Sequence, residues 1–461
     1  MLKKMFDKQQ DLTTGNPVKG VIAFMVPMLL GNLAQQLYST VDSIIVGKYV
    51  GDNALAAVGS TGSIFNLLLV LFMGISVGAN VMVAQYFGAK DRENIASSIG
   101  CCIILMVLSS IFVMTVTPFF VRPMLEILKT PAEIIDWSEE YLNILLIGVA
   151  GMAFYNILCG VMRGLGDSIS PLIYLLVTTV INIVLDLLFV AVFKMGVGGV
   201  AYATIIAQMI SAVLCLRKMF RMKDVFTFHK RHIRWHNEHM KTIFRLGLPS
   251  GITQMIFSLS MIIMQPLTNS HGAMFIAANV IVMRIDGFAM MPNFSFGNAM
   301  TTFAGQNMGA NRLDRVEEGT AKVTLVALLT SAVITGLILM FGKHLMHIFT
   351  DTQAVIDLSQ TLLIILSVGY LSMAVSQTLA GTLRGAGDTM APMWISVITT
   401  VIIRIPLSYM WTEWTKTPQM PNGDPLVLYG TLLISWVLSA VVTIIVYRMG
   451  KWKNKAITAK Q

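Results

Sequence analysis

Asp42 and Asp186 each stand inside a long apolar run, where an acidic side chain is costly and needs a reason. Each follows a proline, Pro27 or Pro171, by 15 residues, about 22 Å at helical rise. Tyr38 is one turn before Asp42 and Asn182 one turn before Asp186, so each pair shares a helix face. Two acids converging in a low-dielectric pocket cannot both ionise cheaply unless a cation sits between them. Such a pair is a proton or sodium site; the plainer alternative is that each Asp only caps or hydrogen-bonds a neighbouring helix.

Three more charges fall within apolar runs: Arg284, Asp286 and Arg404. Arg284 and Asp286 are two residues apart, about 200° around a helix, and point to different faces. Asp286 with Arg404 or Arg284 reads either as a structural pair or as part of a substrate or relay site. Enzyme motifs fail on inspection. Gly74-Ile-Ser76-Val-Gly78 matches a nucleophile elbow but has no strand before it. The stretch from Gly336 to Lys343 is one residue too long for a phosphate loop. No ATP-binding motif is present either, so any work the chain does would draw on an ion gradient. The chain reads as a non-enzyme without a cofactor, H+ or Na+ serving as coupling ion.

These residues need helices in lipid to position them. Hydrophobic residues make up 55% of 461 and charged residues 12%, with a mean hydropathy of +0.71, far from the roughly 25% charged of soluble domains. Runs of about 20 apolar residues, enough to cross a 30 Å core, recur along the whole chain. The spans are expected at 17–43, 54–86, 96–120, 140–162, 170–193, 196–216, 246–268, 274–304, 322–342, 358–382, 390–411 and 426–447. Pro292 offers a kink in the eighth, and Asn16 before Pro17 reads as the N-cap of the first. The N-terminus, basic at Lys3, Lys4 and Lys8 but without a small-residue cleavage site, is expected to be retained. Cys101, Cys102, Cys159 and Cys215 lack metal-like spacing and read as buried thiols.

Charge orients the spans. Of 33 Lys and Arg, 25 fall in the segments that share a side with the N-terminus, six on the opposite side (Lys48, Arg122, Lys129, Lys194, Lys343, Lys416) and two within spans. The positive-inside rule then places both termini in the cytoplasm. The basic stretch His229 to Lys241 is read as a cytoplasmic linker and not as a nucleic-acid patch.

The chain also repeats itself. Gln85-Tyr-Phe-Gly88-Ala89 returns as Gln306-Asn-Met-Gly309-Ala310, and Arg163-Gly164-Leu-Gly166-Asp167 as Arg384-Gly385-Ala-Gly387-Asp388, both at an offset of 221. Two motifs sharing one offset indicate duplication. The Arg-Gly-x-Gly-Asp loops are expected to be structural, with glycines for tight turns and an Arg and Asp able to pair. Six spans per copy make the halves parallel, related by a pseudo-twofold axis along the membrane normal, a transporter layout. The fold is therefore an all-α polytopic membrane protein of twelve helices. Its expected parts are an N-lobe at 1–216, a linker at 217–245, a C-lobe at 246–447 and a basic tail at 448–461.

Leu12-Thr-Thr-Gly15-Asn16-Pro17, Pro27, Gly31, Gln35, Tyr38, Asp42 and Val46-Gly47, with both repeated motifs and Asn182 with Asp186, resemble the multidrug and toxic compound extrusion (MATE) family over essentially the whole chain. The resemblance implies a multi-pass protein of the bacterial inner membrane that exports cationic or amphipathic small molecules against proton or sodium inflow and works as a monomer. In the DinF-like branch it implies a coupling site at Asp42, Asn182, Asp186 and Thr204, the same residues as metal ligands if sodium is used, and a bend of the first helix at Pro27. A Glu that the NorM-like branch carries on the seventh helix has no counterpart between Gln254 and Gln265, which moves weight onto the N-lobe. The rival is a flippase for lipid-linked sugars, which would need a cationic cleft where this chain has only Arg284 and Arg404.

Overall fold

A computed structural model describes residues 9–128 and 130–458, apart from the side chain of Ser63. Lys3, Lys4, Lys8, Lys129 and Lys460, counted in the charge balance, lie outside the described residues. Among the described residues there are helices and no strands.

In chain order the helices are α1 (Pro17–Tyr49), α2 (Asp52–Gly88), α3 (Arg92–Val116), α4 (Pro118–Ile127), α5 (Ala132–Ile147), α6 (Val149–Gly164), α7 (Ile169–Asp186) and α8 (Gly196–Arg221). There follow α9 (Asn237–Ser270), α10 (Ala273–Gly309), α11 (Leu313–His347), α12 (Gln353–Gly385), α13 (Met390–Ser396), α14 (Ile405–Trp414) and α15 (Leu426–Arg448). Among the described residues eleven helical segments are each long and apolar enough to cross a membrane, and the bent pair α5 and α6, taken as one span, makes a twelfth. That pair is the fourth expected span, broken by 54° at Gly148. The long second and eighth spans are the unbroken 37-residue helices α2 and α10, Pro292 lying inside the latter. Asn16 does cap α1: its Oδ1 accepts from the Lys19 amide at 3.2 Å.

By contact the chain forms two units, Met1–Asp11 with Val26–Gly251 and Leu12–Met25 with Ile252–Gln461. The division enters α1 one residue before Val26, next to Pro27, whose missing N–H leaves the Ala23 carbonyl without its helical donor. In the second unit Arg315 donates to the Leu12 and Thr14 carbonyls at 3.2 and 2.7 Å, and Gln306 Oε1 accepts from the Leu12 amide at 2.9 Å. The stretch 217–245 is not one free linker: α8 runs into it to Arg221 and α9 begins at Asn237.

The duplication is visible bond by bond. After α2 the Ala89 amide donates to Gln85, Lys90 to Phe87 and Asp91 to Tyr86; after α10 the amides of Ala310, Asn311 and Arg312 donate to Gln306, Met308 and Asn307. Lys90 and Asn311, 221 apart, are both left-handed, with φ of 58° and 55°. The second motif matches likewise, with Gly166 at φ 85° and Gly387 at 97°. Its acid does not pair with the motif's arginine as expected: Asp167 Oδ1 accepts from the Ser170 amide at 2.9 Å, capping α7.

The helix crossings repeat too. A Cβ on Gly160 would lie 2.3 Å from the Ser76 carbonyl oxygen, and one on Gly381 would lie 2.1 Å from that of Gly297. Glycine lets α6 approach α2, and α12 approach α10, at backbone distance. Ser76, the false elbow, sits mid-helix and donates to the Asn156 carbonyl at 2.7 Å. All four cysteines are buried free thiols.

Candidate functional site

Within the first unit four helices meet around the two acids. α1 contributes Tyr38 and Asp42, α7 contributes Asn182 and Asp186, α8 contributes Thr204, and α5 contributes Tyr141. Asn182 and Asp186 are fully buried, while Asp42 and Tyr38 are half-buried. The acids face one another closely enough to interact directly. With its NH2 group turned toward them, the Asn182 amide donates to Asp42 Oδ1 at 3.0 Å and to Asp186 Oδ2 at 3.2 Å. The hydroxyls of Tyr38 and Thr204 share a hydrogen bond of 3.2 Å, which ties α1 to α8 one turn from Asp42.

Asp186 Oδ1 is buried and has no hydrogen-bond partner among the described residues. A buried carboxylate oxygen without a donor is costly unless a proton, cation or water meets it. An apolar cluster of Ile45, Val46, Ala54, Val190, Val197 and Val200 closes the neighbouring end of the site. The helix after Asp186 widens into a π-turn, Leu187–Val192, where the Phe193 amide reaches back five residues to Leu188. Such turns recur at functional sites because the extra residue shifts the face of everything after it.

Sequence reasoning missed Tyr141, which packs on the apolar cluster beside the site and lies within electrostatic reach of both acids. Its position just after Glu139 and Glu140 was the available signal, yet span edges commonly carry Tyr for interfacial reasons. The π-turn had no local signature, since Leu187 to Val192 is compatible with an ordinary helix.

The second unit holds a different cluster. Asp286 on α10, Tyr370 on α12, Arg404 closing a second π-turn (Val397–Arg404) and Tyr429 on α15 lie within electrostatic reach of one another. Among the described residues no ion pair joins Asp286 to Arg404, and Asp286 Oδ1, the Tyr370 hydroxyl and Arg404 Nε are buried without partners. Arg404 Nη1 donates to Ser260 at 3.3 Å and the Tyr429 hydroxyl to Asn279 at 2.7 Å. Arg284 is exposed on another face of α10 and is not part of this cluster.

A profile of the MatE family matches residues 27–188 and again 249–410. The Bacillus subtilis (strain 168) protein named "Probable multidrug resistance protein YpnP" is 30% identical over 446 residues, covering 97% of this chain and 98% of that protein. Two solved structures are similar in fold at 22% identity. "Crystal structure of MATE in the straight conformation" has a TM-score of 0.88 and covers 98% of this chain and 99% of that one. "Crystal structure of MATE in the bent conformation" has a TM-score of 0.88 and covers 96% and 98%.

Proposed function

This chain belongs to the MatE family, and we propose on that footing that it is a secondary multidrug exporter, moving cationic or amphipathic molecules out of the cell in exchange for protons or sodium ions. The observation that supports an ion at the first-unit site is the buried pair Asp42 and Asp186 with one carboxylate oxygen left unpartnered. In the low dielectric of a helix bundle two neighbouring anionic carboxylates repel, and one monovalent positive charge relieves that repulsion.

The Asn182 amide suits both states of such a site. With its NH2 inward it donates to both ionised carboxylates. Turned over, it presents oxygen, which fits carboxyls that hold a proton or a sodium ion ringed by the oxygens of Asp42, Asp186, Asn182 and Thr204. Filling the site removes the attraction that an empty acidic pair exerts on an organic cation, so inward ion and outward substrate exclude each other. One charge falling through 100 mV supplies about 2.3 kcal/mol, enough for roughly fiftyfold accumulation of a neutral substrate.

In this proposal Pro27 lets α1 bend as the site fills, the coupling machinery is that of the DinF-like branch, one chain suffices, and both termini lie on the cytoplasmic side of a bacterial inner membrane. The chain's own basic bias supports that orientation. Proteoliposomes carrying the purified chain, given a proton gradient or a sodium gradient separately, test the reading. One of the two gradients should drive uptake of a cationic dye, and Asp42→Asn should reduce it to the rate of empty vesicles while the chain melts as the parent does. Parental rates in Asp42→Asn, or dye movement indifferent to both gradients, would overturn it.

A further inference from the structure

Outside the acid clusters, the second unit contains a cavity of about 440 Å³ between α11, α12, α15 and the 3-10 turn Lys451–Asn454. Its lining is graded. Glu317, Arg448 and Lys453 stand at the helix ends, whereas Thr324, Leu379 and Ile444 lie deeper; Thr324 is seven residues beyond Glu317, about 10 Å along α11. Lys453 pairs with Glu317, which neutralises the one acid at the rim. Arg448 is exposed and has neither ion pair nor hydrogen bond among the described residues. At the apolar end Thr324 Oγ1 is buried with no partner among the described residues.

The rim is built and not loose. Gly450, left-handed at φ 70°, turns the chain after α15 so that Trp452 is 1% exposed. Trp452 stacks on Tyr447 at 5.1 Å and 16°, and its indole donates to the Tyr447 carbonyl at 2.9 Å. Aromatic rings beside basic side chains at a span's end are the furniture of a lipid headgroup boundary. Basic pockets between transmembrane helices are sites for anionic headgroups.

We propose that this cavity is a binding site for one anionic phospholipid of the surrounding bilayer. The phosphodiester meets Arg448 and Lys453, and an acyl chain lies along Leu379 and Ile444. A soluble phosphate would use the rim and leave the apolar depth empty. A zwitterionic ammonium lipid would compete with Lys453 for Glu317. The site is independent of the coupling reading, since it needs only that the chain sits in a bilayer.

The full chain in a non-ionic detergent, titrated with phosphatidylglycerol, phosphatidylcholine or phosphatidylethanolamine and examined by native mass spectrometry, tests this. One phosphatidylglycerol should be retained per chain at about tenfold lower concentration than either other lipid. Each basic side chain near an anionic group contributes about fivefold. Arg448→Gln with Lys453→Gln should therefore weaken retention roughly thirtyfold, and Arg448→Lys should retain parental binding. Ala321→Trp, on the cavity wall with the charges intact, should also weaken it, and it decides the matter if the double variant does not fold. Equal retention of the three lipids, displacement by millimolar inorganic phosphate, or parental binding in Ala321→Trp would overturn the proposal.

Discussion

A carboxylate oxygen buried without a donor is the sharpest residue-scale fact in this molecule. Asp186 has one, and its neighbours are an acid, an amide and a hydroxyl pair, not a basic side chain. Among the described residues no salt bridge neutralises this acid, which is the footing of the proposed coupling ion. Asp186→Asn preserves shape and removes the charge, so ion-driven dye flux should fall to background while the melting temperature holds or rises. Tyr38→Phe deletes only the hydroxyl bonded to Thr204, an interaction of about 1 kcal/mol. A severalfold weaker dependence on the driving ion is expected, read from transport rate against ion concentration. Full activity in Asp186→Asn would leave the buried pair without a coupling role.

At the scale of elements, each copy of the repeat contains the same helix crossing, made possible by the equivalent glycine. Gly160→Ala and Gly381→Ala each drive a Cβ into a backbone carbonyl, which no rotamer change relieves. Overpacking of this kind costs about 1–3 kcal/mol. Gly336, with nothing within 4 Å of its would-be Cβ, is the control: Gly336→Ala should be neutral or slightly stabilising through helix propensity. Thermal melts of the three variants in detergent check this, and similar melting for Gly381→Ala and Gly336→Ala would mean that the crossing is loose. The π-turns belong to this scale as well. They follow Asp186 in one unit and end at Arg404 in the other, so each rotates the face of a span beside its unit's buried charges.

For the molecule as a whole, the basic bias makes a direct forecast of orientation. Asp52 opens α2 on the side expected to face outward, and Lys223 follows α8 on the basic side; both are exposed. With the buried native cysteines unreactive, Asp52→Cys should label with a membrane-impermeant maleimide in intact cells and Lys223→Cys only after lysis. Labelling of Lys223→Cys from outside would reverse the topology.

The primary structure by itself determined the spans, their number and the duplication, because lipid imposes length and apolarity on each crossing segment, and a shared offset of 221 survives in plain residue types. It also singled out Asp42 and Asp186, since ionisable groups in apolar runs are rare enough to stand out, and Asn182 by its place one turn before Asp186. Only the tertiary structure decided which of these side chains meet, that Tyr141 joins them, that Arg404 and not Arg284 lies near Asp286, and that Asp167 caps a helix. Those outcomes depend on azimuth and on contacts far apart in the chain. A π-turn or a bend at Gly148 shifts azimuth by more than a residue's width without any change in hydropathy that a linear reading could register.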